Sequence, residues 1–78
     1  MKITVVAEIG SNWEGNIIKA KKIIRECKKS GADAVKFQMW RANDLYNSNH
    51  PSWKVIKKSE LTFNQASILK KFADKIKI

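Results

Sequence analysis

GADAVKFQMW, residues 31–40, decides how the rest of the chain is read. Its small and β-branched residues suit a covered parallel strand, yet Lys36 and Gln38 stand two apart and so project from the same face. An unpaired ammonium inside a protein costs several kcal/mol, so a lysine on such a face is paired or serves a ligand. Upstream of this strand, Ile17, Ala20, Ile23, Ile24 and Cys27 recur at helical spacing. Asn16 stands where an N-cap is needed and Gly31 where a helix ends. Before the helix, GSNWEG (10–15) reads as a loop and KITVVAEI (2–9) as a buried strand. The order strand, helix, strand predicts a βαβ unit with parallel strands over Lys2 to Ile9 and Ala32 to Met39, joined by a right-handed crossover.

Downstream, residues 40–61 read as one long connection, a length that is uncommon in compact domains unless the segment covers a ligand or moves. Thr62 and Gln65 then have capping-box spacing, and Phe63, Ala66, Leu69, Phe72, Ala73 and Ile76 form the apolar stripe of a second helix. The predicted order is therefore β-α-β-loop-α, one unit over residues 1–78. Two parallel strands are too few for a sheet with both faces covered, so the chain reads as α/β, the beginning of a larger repeating β/α architecture.

Alternation puts Glu8 and Val6 on one face of the first strand and Val5, Ala7 and Ile9 on the other, where they meet the helices together with Val35 and Phe37. Glu8, Lys36 and Gln38 then share the opposite face near the carboxyl ends of both strands, which in a β/α barrel is the inward face at the active-site end. Across strands about 4.8 Å apart, Glu8 and Lys36 can pair and leave the lysine charged for an acidic substrate group. The same two residues can equally form a partly exposed ion pair with no chemical duty.

The chain carries 16 Lys and Arg against 7 Asp and Glu, a formal charge of +9, which raises phosphate-bearing partners. The lysines are interleaved with apolar positions on helices, as on a solvated face, and no nucleic-acid-binding motif accompanies them. No apolar run approaches the roughly 20 residues of a membrane span, and the amino terminus lacks a signal-peptide pattern, so the expected location is the cytoplasm. Cys27 is the one cysteine, lies on the apolar stripe, and reads as a core residue. His50 has no second ligand at metal spacing, so no metal ligand is assigned.

AEIGSNWEG (7–15), GADAVKFQ (31–38) and SELT (59–62) resemble the amino-terminal portion of the N-acetylneuraminate (sialic acid) synthase family, over nearly the whole chain but only about the first quarter of a full-length member. The resemblance implies that the chain is an incomplete TIM-type (β/α) barrel fragment, from a barrel that condenses phosphoenolpyruvate with an N-acylated amino sugar, assisted by a divalent metal, Mn2+ or Mg2+, whose ligands lie outside this chain. It implies that Lys36 binds the acidic groups of phosphoenolpyruvate, that Glu8 and Gln38 line the same pocket, with Glu8 and Lys36 catalytic, and that Asn12 shapes the sugar end. The full-length protein would be a homo-oligomer. Many members have His after that Asn, where this chain has Trp13, a residue placed either to stack on a sugar or to pack under the loop. Arg41 reads as a solvated loop residue and Trp40, Tyr46 and Trp53 as loop-packing aromatics. Two other readings stand beside this one: a small basic nucleic-acid-binding module, and a non-catalytic fragment that docks onto a partner chain.

Overall fold

The computed structural model describes residues 2–78. Strands β1 (Val6–Ile9) and β2 (Ala34–Phe37) form a two-stranded parallel sheet in which Glu8 lies opposite Lys36 and Ile9 opposite Phe37. Between them run a 3-10 turn (Ser11–Trp13) and helix α1 (Ile17–Lys29); after them come α2 (Ala42–Leu45), α3 (Trp53–Lys58) and α4 (Phe63–Lys75). The expected strands are longer than those found, because each strand here has only one neighbour and ends where that neighbour leaves it. Just before the ladder, Asp33 clamps Val5: its carboxylate accepts the Val5 N–H at 2.8 Å and its own N–H donates to the Val5 carbonyl at 2.8 Å.

The helix ends follow local chemistry. Asn16 Oδ1 accepts the Lys19 N–H at 3.0 Å, capping α1. At the other end Gly31, at φ +92°, lets its own N–H reach the Lys28 carbonyl and that of Ala32 reach the Cys27 carbonyl, a Schellman closure. The capping box at α4 forms in both directions between Thr62 and Gln65. α4 closes as α1 does, except that Lys77 occupies the left-handed position, at φ +65°.

The core lies between the sheet and the α1·α4 pair, with Ile9, Trp13, Ile24, Leu61 and Leu69 buried in one cluster. Four expected core residues are not in it: Phe63, Val5, and also Ala7 and Cys27, which are only half-buried and line an open groove beside β1 and α1. Phe63, on the first turn of α4, is 80% exposed. Val5 is half exposed, because nothing covers the sheet beyond β1. The connection 40–61 is not one open loop but holds α2 and α3, joined by a hydrogen bond of 2.9 Å from Trp53 Nε1 to Asn43 Oδ1. Several basic side chains serve packing: Lys21 and Arg25 of α1 lie over the Phe72 ring of α4, and Lys28 Nζ donates to the Ile76 carbonyl. Among the described residues no helix is long and apolar enough to cross a membrane.

Candidate functional site at the carboxyl ends of the strands

The parallel register sets Glu8 and Lys36 side by side on one face of the sheet, while Ile9 and Phe37 turn to the core. Gln38, half-buried just past the end of β2, donates from Nε2 to Glu8 Oε1. The ion pair between Glu8 and Lys36 that their adjacency allows is not formed. The carboxylate is held by the amide instead, and among the described residues Lys36 has no carboxylate partner. The outcome is a fixed acceptor beside a free ammonium, both on the exposed side of the strand ends. Such an ammonium is a point charge suited to a phosphate or carboxylate group.

Asn12 is exposed on the 3-10 turn that leaves β1, at the same end of the sheet. Its neighbour Trp13 resolves the two placements open to it: the indole is 1% exposed, beneath the turn, edge-on to Phe37 with ring centroids 6.4 Å apart. It is a packing residue and presents no face to a ligand. The turn is held from outside as well. Glu14 bonds to Lys19 and reaches Lys58 at 3.6 Å, and Gly15, at φ +70°, runs so close to the end of α3 that a Cβ there would lie 2.1 Å from the Lys58 carbonyl oxygen. The hydrogen bond and charge of Lys19, with the charge of Lys58, hold the Glu14 carboxyl below the usual carboxylate range.

Glu60 is the residue whose role the sequence did not disclose. Half-buried, it accepts from Lys57 at 3.0 Å and from the Ala42 N–H at 3.3 Å, and lies 3.7 Å from Arg41, so Arg41 is paired rather than simply solvated. The Lys57 hydrogen bond lowers its pKa against the opposing effect of burial, with the Ala42 amide adding to the lowering. Lys57 and Glu60 at i, i+3 was the only local signal; the contact with Ala42 is tertiary. Ser59, beside it, is fully buried and donates to the Val55 and Ile56 carbonyls, closing α3. Tyr46 stacks on His50 with centroids 4.6 Å apart, well within the connection. Among the described residues no group of three or more His, Cys, Asp or Glu side chains comes together, so they do not fit the divalent metal that the resemblance implies.

The chain is an α/β unit with polar side chains gathered at the carboxyl ends of its parallel strands, the end at which open α/β sheets in general hold their ligands. Residues 23–77, which include Lys36 and Gln38, match the model of the NeuB family, and the chain belongs to that family. It is 36% identical over 74 residues to an uncharacterized protein of Methanocaldococcus jannaschii, covering 95% of this chain and 22% of that one. It is 39% identical over 66 residues to the N,N'-diacetyllegionaminic acid synthase of Legionella pneumophila, 85% of this chain and 17% of that one. With the N-acetylneuraminate-9-phosphate synthase of Mus musculus it shares 53% identity over 34 residues, 44% of this chain and 10% of that one. The chain thus spans about a fifth of the length of the first two. No solved structure matches it.

Proposed function

We propose that residues 1–78 are the amino-terminal part of a (β/α)8 barrel in a synthase that joins phosphoenolpyruvate to an N-acylated amino sugar, giving a sialic-type acid. The observation that carries this reading is the free Lys36 ammonium at the carboxyl end of β2, beside a Glu8 carboxylate already occupied by Gln38, in a chain of the NeuB family. Lys36 binds the phosphate or carboxylate of phosphoenolpyruvate. Gln38 and Glu8 line the pocket, their mutual hydrogen bond keeping the acid off the lysine. Asn12, on the adjoining turn, shapes the sugar end. In the reaction the enol carbon of phosphoenolpyruvate attacks the sugar aldehyde and forms the new C–C bond; water then adds at the carbon bearing phosphate, and inorganic phosphate leaves. Charge held by Lys36 in a water-poor mouth stabilises the anionic substrate through these steps.

The chain alone supplies one wall of the pocket and does not catalyse. The test supplies the remaining strands, either in trans or by extending the gene, and measures phosphoenolpyruvate binding. Lys36→Ala is expected to weaken it roughly tenfold to a hundredfold, as loss of a charge-assisted contact does. Equal binding by wild type and variant would remove Lys36 from the role assigned to it.

A further inference from the structure

The carboxylates of the chain are unevenly placed among its cations. Glu14 takes Lys19 and Lys58, Glu60 takes Lys57 and Arg41, and Asp74 takes Lys70. Along the seam between α1 and α4 the cations have no such partner among the described residues. Lys21 and Arg25 lie 5.4 and 4.9 Å from the centre of the Phe72 ring, and Lys28 donates to the Ile76 carbonyl. On α4, Ile68, Lys71, Phe72 and Lys75 follow at i, i+3, i+4 and i+7, so Lys71 and Lys75 flank the same seam. The carboxylates of these two helices lie elsewhere. Glu26 borders the groove between α1 and β1, and Asp74 holds Lys70, which lines the cavity beside β2.

We propose that this cationic seam docks an acidic, amphipathic helix of a partner protein. Like charges one turn apart, Lys21 with Arg25 and Lys71 with Lys75, repel each other and weaken the helices that carry them. Carboxylates arriving from outside relieve that repulsion, and the trough between two packed helices is a shape into which a third helix seats its ridge of side chains. The seam turns away from the sheet, opposite the buried Leu69 and Ala73 of α4, so it is open whether or not further strands extend the sheet.

Two observations favour a polypeptide over a nucleic acid as the occupant. Ile68, beside Lys71, is 36% exposed, and a phosphate backbone offers it nothing apolar to pack against. Phe72, the aromatic residue on this seam, lies half-buried beneath Lys21 and Arg25 and presents no open face on which a base could stack. A second copy of the chain would set the same cations against each other, which disfavours self-association through this face.

Calorimetric titration of the 78-residue chain with a synthetic helix that carries Glu and Leu along one face tests this. Binding should weaken steeply between about 50 and 200 mM salt. Lys71→Gln together with Lys75→Gln should lower the affinity roughly fivefold. Ile68→Ser should lower it about threefold. Lys2→Gln together with Lys54→Gln removes the same charge from other elements and should leave the affinity within about twofold. Circular dichroism of each variant checks that helix content is unchanged. Equal loss from the two lysine pairs would mean attraction by net charge alone and overturn the docking surface, as would absence of binding at about 50 mM salt. A short DNA duplex that binds more tightly than the peptide, and is indifferent to Ile68→Ser, would assign the seam to nucleic acid instead.

Discussion

Replacing Gly15 by alanine should be the most damaging single-methyl change in the chain, and comparison with Gly31 shows why. Both glycines have positive φ, +70° and +92°, so either alanine carries a left-handed strain of about 1–2 kcal/mol. At Gly31 that is the whole cost, because a Cβ there meets nothing within 4 Å. At Gly15 the Cβ would lie 2.1 Å from the Lys58 carbonyl oxygen, a main-chain atom that moves only if the end of α3 moves. That shift also separates Glu14 from Lys58 and strains the turn seated on Trp13. In thermal unfolding followed by circular dichroism, each kcal/mol lowers Tm by roughly 4–8 °C in a domain of this size. Gly31→Ala should therefore cost about 4–16 °C, and Gly15→Ala clearly more, with a loss of near-ultraviolet signal as the Trp13 environment loosens. If Gly15→Ala proves no worse than Gly31→Ala, the close approach of the first turn to α3 does not constrain the fold and the reasoning fails.

Trp13→Ala should cost about 3–5 kcal/mol, the range for emptying a large aromatic site, and leave the chain unfolded or nearly so in urea titration. A folded variant would mean the indole is not a core residue. Lys77→Gly should stabilise by about 1 kcal/mol, because glycine accepts the left-handed closing position of α4 that lysine occupies at φ +65°; an unchanged Tm would mean that the last turn is frayed. Acid should weaken the tie between the first turn and α3 together with that between α2 and α3. The folded-state pKa values of Glu14 and Glu60 lie below the usual carboxylate range, so their contribution is full above the ordinary value of about 4.3 and is lost as pH falls through the lowered folded values. Tm measured against pH should drop over that interval, and Glu60→Gln should flatten the drop; an unaltered profile would show that Glu60 is not ion-paired in solution.

The features legible in the sequence were those fixed by local chemistry. Asn16, Gly31 and the Thr62–Gln65 box mark their helix ends because each satisfies main-chain groups within a few residues of itself. The shared face of Glu8, Lys36 and Gln38 follows from strand alternation plus parallel register, and the structure brings Glu8 and Gln38 into contact. What was not legible depends on distant partners. α2 and α3 are too short to show a period, and exist through Trp53 with Asn43 and Glu60 with Ala42, pairs 10 and 18 residues apart. Phe63 fits the apolar stripe of α4 in sequence and still faces water, because periodicity gives a direction around the helix and not what covers each turn of it.

The same distinction bears on Glu8. In sequence an acid beside a lysine can pair with it and leave it charged, but an ion-paired Lys36 is less open to an anionic ligand than one with no carboxylate against it. The neighbour two residues beyond the lysine alters that balance. An amide donates to a carboxylate, so Gln38 can occupy Glu8 and leave the ammonium without a carboxylate against it. In the proposed site, Lys36 is then open to an acidic ligand only while Gln38 holds Glu8. Gln38→Leu, which removes the donor and keeps the bulk, should let Glu8 turn toward Lys36 and weaken phosphoenolpyruvate binding in the completed barrel. The double variant Gln38→Leu, Glu8→Gln, with no acid left to pair, should recover most of that loss. Failure of the second change to rescue the first would mean that Gln38 acts on the ligand directly and not by engaging Glu8.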